Sequence, residues 1–173
     1  MPTAKLIVVN ESGEEIAVAE ELKCHQGEGI LHRAFTILVF NAGGEALIQR
    51  RSGGKLLWPG FWEASCSGHP REGEDLGEAA ERRLAEELAI RTSLATLGSF
   101  RYRARYLDVG AENEFCFVLA GRYEGGVSPD PDEVSEYRWI RIPRLLEDIA
   151  GDQTQFVPWL APALAVAEDN PPA

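Results

Sequence analysis

Between Gly68 and Ile90 the chain carries a spacing that leaves little freedom in what it can fold into. Gly68 is followed by five residues, Glu74, seven more residues, and then Arg82-Arg83-Leu84-Ala85-Glu86-Glu87-Leu88-Ala89-Ile90. Asp75 with Glu78 three positions on has the form of a helix N-cap and capping box, and Leu76, Ala79, Ala80, Leu84 and Leu88 then recur at helical spacing. The segment predicts an amphipathic helix whose Leu/Ala face opposes a polar stripe of Glu78, Arg82 and Glu86, with Arg83 and Glu87 beside it. Carboxylates so placed can hold Mg2+, a hard cation that takes oxygen ligands and reaches phosphates through them. Taken alone, the same charges describe a solvated helix with i,i+4 ion pairs; the fixed distance back to Gly68 separates the two readings.

Strand patterns surround this helix. Lys5 to Val9 and Glu15 to Ala19 flank the turn-rich Asn10-Glu11-Ser12-Gly13, which predicts an opening hairpin within about residues 4–20. Leu31 to Phe40 is a long apolar strand that Gly43-Gly44 turns into Ala46 to Arg50. The stretch from Ser52-Gly53-Gly54-Lys55 to Trp58-Pro59-Gly60-Phe61-Trp62 holds too much Gly and Pro to be regular. Leu97 to Arg105, Glu114 to Ala120 and Glu136 to Ile140 predict further strands, Arg144 to Ile149 and Trp159 to Ala167 helices, and Glu168 to Ala173 a disordered tail. Strands before, between and after few helices give an α+β fold, a mixed sheet packed between helices.

With 173 residues, 45% of them hydrophobic, the chain is expected to form one domain. A net charge of −11 argues against nucleic-acid or anionic-membrane surfaces, so any phosphate bound should be small and clamped locally. The apolar run at the amino terminus is too short for a signal peptide and no stretch approaches a membrane span, so a cytoplasmic protein is expected. Cys24, Cys66 and Cys116, an odd and sparse set, are expected as free thiols. Nothing in the pattern calls for an oligomer, and a monomer is the expectation.

The Gly68–Ile90 spacing resembles the Nudix box, G-x5-E-x7-R-E-U-x-E-E-x-G-U, at seven of its nine defined positions. The departures are Arg83 for Glu and Ala89 for Gly. The resemblance implies a Nudix fold, an α/β/α sandwich, and a pyrophosphohydrolase would use the Glu at the Arg83 position with the following Glu pair to gather metal. An arginine can do neither, because its guanidinium stays protonated and has no acceptor; it can pair with a phosphate instead.

A narrower resemblance runs from about Val8 to Ala167. It rests on Leu31-His32-Arg33-Ala34-Phe35, Gln49-Arg50-Arg51, Trp58-Pro59-Gly60-Phe61-Trp62, Ser67-Gly68-His69-Pro70, Phe100-Arg101-Tyr102-Arg103, Glu112-Asn113-Glu114, Asp132-Glu133-Val134 and Pro158-Trp159. These segments are similar to type I isopentenyl-diphosphate isomerases, a non-hydrolytic branch of the Nudix superfamily that shifts a double bond within a five-carbon diphosphate. The resemblance implies that the three histidines of the chain, His25, His32 and His69, ligate a divalent metal together with Glu112 and Glu114. Glu112 and Glu114, two apart on a strand, point to the same face, and the ligand types admit Zn2+, Mn2+ or Mg2+. It further makes Glu114 the acid/base on the metal side and Ser67 the group opposite, with Tyr102, Trp159 and Trp62 as pocket aromatics able to face a carbocation. Arg51, Lys55 and Arg83 would approach the diphosphate, and Glu87 would hold a bridging Mg2+.

Most members carry cysteine where this chain has Ser67; the neighbouring Cys66 would face the other way on an extended segment and pack behind the site. Glu21 stands where bacterial relatives often carry a diphosphate-contacting Lys. Two alternatives remain open at this stage. One is a Nudix hydrolase of a nucleoside or prenyl diphosphate, favoured by Ser67 and the Glu86-Glu87 pair and opposed by Arg83. The other is a non-catalytic diphosphate binder.

Overall fold

The computed structural model describes residues 3–171. In chain order the elements are β1 (Lys5–Val9), β2 (Glu15–Glu20), α1 (Glu21–His25), β3 (His32–Phe40), β4 (Ala46–Arg51), β5 (Trp62–Glu63), β6 (Cys66–Gly68), α2 (Leu76–Leu88), β7 (Ala95–Tyr106), β8 (Gly110–Arg122), β9 (Val134–Ile140), α3 (Ile142–Gly151) and α4 (Leu160–Asp169). The expected strands and helices are present, several of them a few residues longer than their sequence signals. Two segments differ from expectation. The segment read as irregular ends in a strand residue, Trp62, and α4 runs through Glu168 and Asp169, which had been placed in a disordered tail. Asn170 continues its bonding by donating from Nδ2 to the Val166 carbonyl at 3.1 Å; Pro172 and Ala173 lie outside the described residues.

The centre of the sheet is β3, which runs parallel to β8 and antiparallel to β6, while β4 pairs antiparallel with β5 and β9. β7 extends the sheet beyond β8, and the β1–β2 hairpin joins β3 through Val8 opposite His32. Asn10 shapes the hairpin turn: its Oδ1 accepts from the Ser12 and Glu14 amides, and Gly13 takes the positive φ of 81° that a Cβ would make costly.

Alternation along β3 divides its side chains between two cores. Phe35, Ile37 and Val39 pack with Leu47, Leu119 and the Ala79, Ala80, Leu84 and Leu88 face of α2. Leu38, Val118, Ile48 and Trp62 pack on the other side with Leu145, Leu160 and Leu164 of α3 and α4. Apolar residues on both faces explain why β3 reads as a continuous hydrophobic run rather than an alternating one. Asp75 caps α2 as expected, its Oδ1 accepting from the Gly77 and Glu78 amides at 2.8 and 3.2 Å. Gly68 lets α2 approach: a Cβ there would lie 2.9 Å from the Phe35 ring and 3.3 Å from Arg83 Cγ.

Candidate metal centre and active site

Four segments converge at one end of the sheet. His25 closes α1, His32 opens β3, His69 follows β6, and Glu112 and Glu114 sit two apart in β8, where the parallel register sets His32 beside Glu114. Ligand atoms of these five residues all lie within 4.8 Å of one another. The imidazoles are oriented from behind: His25 Nδ1 donates to the Glu21 carbonyl at 2.8 Å and His32 Nδ1 to the Ile30 carbonyl at 2.7 Å. Each bond fixes the tautomer and leaves Nε2 as the nitrogen facing the carboxylates. His25 Nε2 is 3.0 Å from Glu112 and His69 Nε2 is 2.8 Å from Glu114. His32 Nε2, fully buried and 3.6 Å from Glu114, makes no hydrogen bond. A buried orphan nitrogen among carboxylates is what a divalent cation would satisfy, so the residues present fit a metal.

The electrostatics of the set are those of charges held in a dry place. Burial, together with the nearby Glu114 charge, raises the Glu112 carboxyl to about 7. Burial pulls the His25 imidazolium down, but the Glu112 carboxylate beside it outweighs that and lifts it to about 9. Glu114, despite its burial, is held well below the usual carboxylate range by the His32 and His69 imidazoles. Tyr102 donates its hydroxyl to Glu114 Oε2 at 2.6 Å, and burial and then the Glu114 charge push that phenol well above its ordinary range, so it stays a donor.

His25, His69, Glu112 and Glu114 form one wall of a cavity of about 510 Å3, with His32 buried behind them. Ser67 and Trp159 line another side. Ser67 is the residue directly opposite Thr36 in the β3–β6 pair, with Oγ atoms 3.0 Å apart, and the Trp159 indole donates to Ser67 Oγ at 3.2 Å. Trp159 and Tyr102 are neighbours, ring centroids 5.7 Å apart. Cys66 points into the other layer, among the residues that pack on α2, and burial and the Glu87 charge drive its thiol well above the ordinary range. All three thiols are free and buried.

The third side carries Arg51, Lys55 and Arg83. Arg51 is anchored by the Leu57 carbonyl, 2.8 Å from Nη2, and by Glu63, 3.2 Å from Nη1, with its guanidinium 5.6 Å from the Trp159 ring centroid. Lys55 pairs with Glu133, and Arg83 reaches Glu86 at 2.6 Å as well as Glu87 and Glu133. Glu87 is buried behind these cations, its Oε2 accepting from Gln49 at 2.8 Å. Glu21 also lines the cavity.

Trp62 is not in this cavity, contrary to expectation. In β5, Trp62 pairs with Arg50 and Glu63 with Gln49, and neighbours on a strand face opposite ways, so Glu63 turns toward Arg51 while Trp62 turns into the α3/α4 core under the Arg138 guanidinium. The sequence reading missed Thr36 and Glu63, and gave Gln49, Glu133 and Trp58 no role, though each stands in a segment that carries the resemblance. Trp58 stands T-shaped against Trp159 at 5.3 Å between centroids and holds a positive φ of 47°. Nothing in the local pattern announces that conformation, since a residue before proline favours extended backbone.

A polypeptide with this sandwich, with the Gly68–Ile90 helix packed on it and carboxylates gathered at its end, is a Nudix domain, and the NUDIX domain model matches residues 30–160. Among solved structures, the fold is similar to DR0079 from Deinococcus radiodurans (TM-score 0.76, 24% identity, covering 95% of this chain and 98% of that one). It is also similar to a MutT protein from Methanosarcina mazei (TM-score 0.65, 23% identity, 82% and 96% covered). In sequence, the isopentenyl-diphosphate Delta-isomerase of Burkholderia multivorans is 40% identical over 90% of this chain and 88% of its own length. That of Nocardia farcinica is 38% identical over 93% of each. The chain belongs to the Nudix family, in its isopentenyl-diphosphate Delta-isomerase branch.

Proposed function

We propose that the protein interconverts isopentenyl and dimethylallyl diphosphate by delivering a proton to one carbon of the alkene and removing another from the adjacent carbon of the resulting cation. The observation that carries this reading is the pair of neighbouring rings, Tyr102 and Trp159, each bonded at its polar edge to a proton-handling group: Tyr102 to Glu114, Trp159 to Ser67. An alkene lying against those rings has a carboxylate on one side and a hydroxyl on the other, and π faces that favour a cation. Arg51, Lys55 and Arg83 would receive the diphosphate at the remaining wall and so fix which carbon each group meets.

In this reading His25, His32, His69, Glu112 and Glu114 would hold Mn2+, Zn2+ or Mg2+, and Glu87 would hold a Mg2+ that serves the diphosphate. Such cations, when bound, supply the positive charge that keeps the carboxylates ionised in a buried site. Glu114 accepts hydrogen bonds on both oxygens, which hold it against the ring pair and support it as the group that would receive a proton and, once protonated, return it. Once substrate fills the cavity, the Tyr102 and Trp159 rings would displace water from around the cation. Hydrolysis is the weaker reading, because Arg83 stands where that chemistry needs a further carboxylate, and its guanidinium, paired with Glu86, has no acceptor with which to hold a metal or take up a proton. The enzyme would act as a cytoplasmic monomer on a small diphosphate, without nucleic acid or membrane.

The test is incubation of the metal-loaded protein with isopentenyl diphosphate in deuterated water, followed by NMR, with phosphate assayed in parallel. Deuterated dimethylallyl diphosphate without phosphate release is expected. Phosphate release without exchange would transfer the protein to the hydrolases, and tight binding with neither would make it a binder.

A further inference from the structure

We propose that Thr36 is a positioning residue for Ser67: together with the Trp159 indole it fills both lone pairs of Ser67 Oγ and leaves the Ser67 hydrogen as the one aimed into the cavity. This rests on Ser67 being the proton-handling group opposite Glu114. A hydroxyl has one hydrogen and two lone pairs, and Ser67 Oγ has two protein partners, Trp159 Nε1 at 3.2 Å and Thr36 Oγ1 at 3.0 Å. The indole can only donate. What remains is the direction of the Thr36–Ser67 bond.

Burial decides it. Thr36 has no exposed surface, and its contacts are Ser67 Oγ and, at 3.6 Å, the buried Cys116 sulfur. If Ser67 donated to Thr36, the Thr36 hydrogen would be left with sulfur, a weak acceptor, inside the protein. If Thr36 donates to Ser67, its own lone pairs are free to take the Cys116 S–H, and the hydrogen left over belongs to Ser67, which is partly exposed and borders the cavity. A buried donor without a good acceptor costs more than one facing a wet cavity, so the polarity runs from Cys116 through Thr36 to Ser67 and out.

The arrangement bears on chemistry that a serine otherwise performs badly. Two donors converging on one oxygen polarise its O–H and stabilise negative charge on that oxygen, the same device that lowers the cost of an oxyanion. A thiol at position 67 ionises more readily by itself and would depend less on this support.

The experiment compares Thr36→Val, which keeps the shape and removes the hydroxyl, with Thr36→Ser, which restores it, each with Ser67 and with Ser67→Cys. With Ser67 present, Thr36→Val should lower kcat on the order of 10- to 100-fold with little change in KM, Thr36→Ser should recover most of it, and the loss should be smaller beside Ser67→Cys. A second readout does not depend on turnover. The Trp159 indole N–H resonance, assigned through Trp159→Phe, should shift in Thr36→Val and return in Thr36→Ser. If the indole signal is unmoved by Thr36→Val, or if kcat stays within about twofold of the parent, the proposal fails. If the parent shows no isomerisation at all, the function reading falls, while the indole shift still decides whether Thr36 orients Ser67.

Discussion

Ser67 and His25 are the residues at which the chemistry can be pressed hardest. Ser67 sits where a thiol fits the same two donors, and the free thiol ionises near pH 8.5 while a hydroxyl does not. Ser67→Cys should therefore raise the rate of deuterium incorporation from water into product by about tenfold or more without altering thermal stability; an unchanged rate would remove position 67 from the proton path. Glu114→Gln keeps the volume and both neighbours but can no longer take up a proton. Turnover should fall by roughly 100-fold or more, measured as the initial rate of dimethylallyl formation, with diphosphate binding retained. His25 governs how metal binding responds to pH. Its imidazolium is lifted to about 9 by Glu112, so below that pH a metal must displace a proton from Nε2 before it can bind. Protons released on loading Zn2+, read with an indicator dye, should be most numerous near pH 7 and should decline as pH rises through about 9, while the apparent affinity strengthens over the same interval. Constant release across that range would mean that His25 is not a ligand.

At the scale of elements, the end of α2 stores a correctable cost. Ala89 closes the helix with φ 56° and ψ 28°, the left-handed conformation for which the Nudix box specifies Gly. A Cβ there costs about 1–2 kcal/mol, and a glycine gives back some of that through the unfolded chain. Since Ala89 is exposed and its side chain packs on nothing, Ala89→Gly should stabilise the fold by about 1 kcal/mol and raise Tm by about 2–4 °C in a calorimetric scan. A lower Tm would show that the strain is relieved by some other route. The same helix shows what was legible beforehand: cap, apolar face and polar stripe are all local, so the sequence determined α2 almost to the residue. α1 was not legible, because five residues with only Cys24 and His25 buried carry no apolar period and no capping side chain. β6 was equally silent; three residues become a strand only because β3 lies beside them. The five clustered His and Glu side chains come from four segments, and no local pattern could have assembled them; only the family resemblance grouped them, whereas Thr36, an ordinary threonine in an ordinary strand, was invisible until Ser67 lay opposite. Trp62 failed for the converse reason, since a Trp beside Pro-Gly-Phe gives no clue to which face of a two-residue strand it will take.

Across the whole molecule, the His/Glu set is also a clip. The N-terminal hairpin touches the main sheet at one paired position, Val8 opposite His32, supported by the Val9 amide bonding to the Leu31 carbonyl at 3.1 Å. α1 is held by the Ile30 amide on the Cys24 carbonyl at 3.0 Å and by Asn113, whose Nδ2 donates to the Gly29 carbonyl at 3.2 Å. Further ties are Arg33 Nη2 donating to the Gly13 carbonyl and Arg103 Nε to the Glu28 carbonyl, each at 3.1 Å; the segment brings Glu21, Leu22 and His25 to the cavity, and His25 closes it onto β8 through Glu112. A cation bound by His25, His32, His69, Glu112 and Glu114 would cross-link residues far apart in the chain, and a ligand that binds only the folded state stabilises it by mass action. At about a thousandfold excess over Kd that amounts to about 4 kcal/mol, or a Tm rise of roughly 8–16 °C for a chain of this size. Differential scanning fluorimetry after chelation, and again after adding Mn2+, Zn2+ or Mg2+ singly, should reveal that rise and rank the ions. His69→Ala should abolish it, because it removes one of the clustered ligand atoms at little cost to the fold: among the described residues the ring's hydrogen bond is to Glu114. Hydrogen exchange should place the gain in residues 21–32, which carry His25 and His32 and join the short α1 to β3. A metal that raised Tm equally in His69→Ala would be binding elsewhere. Protection spread evenly over the chain, with none concentrated in residues 21–32, would mean that hairpin, helix and sheet are already one cooperative unit and that the metal serves the chemistry alone.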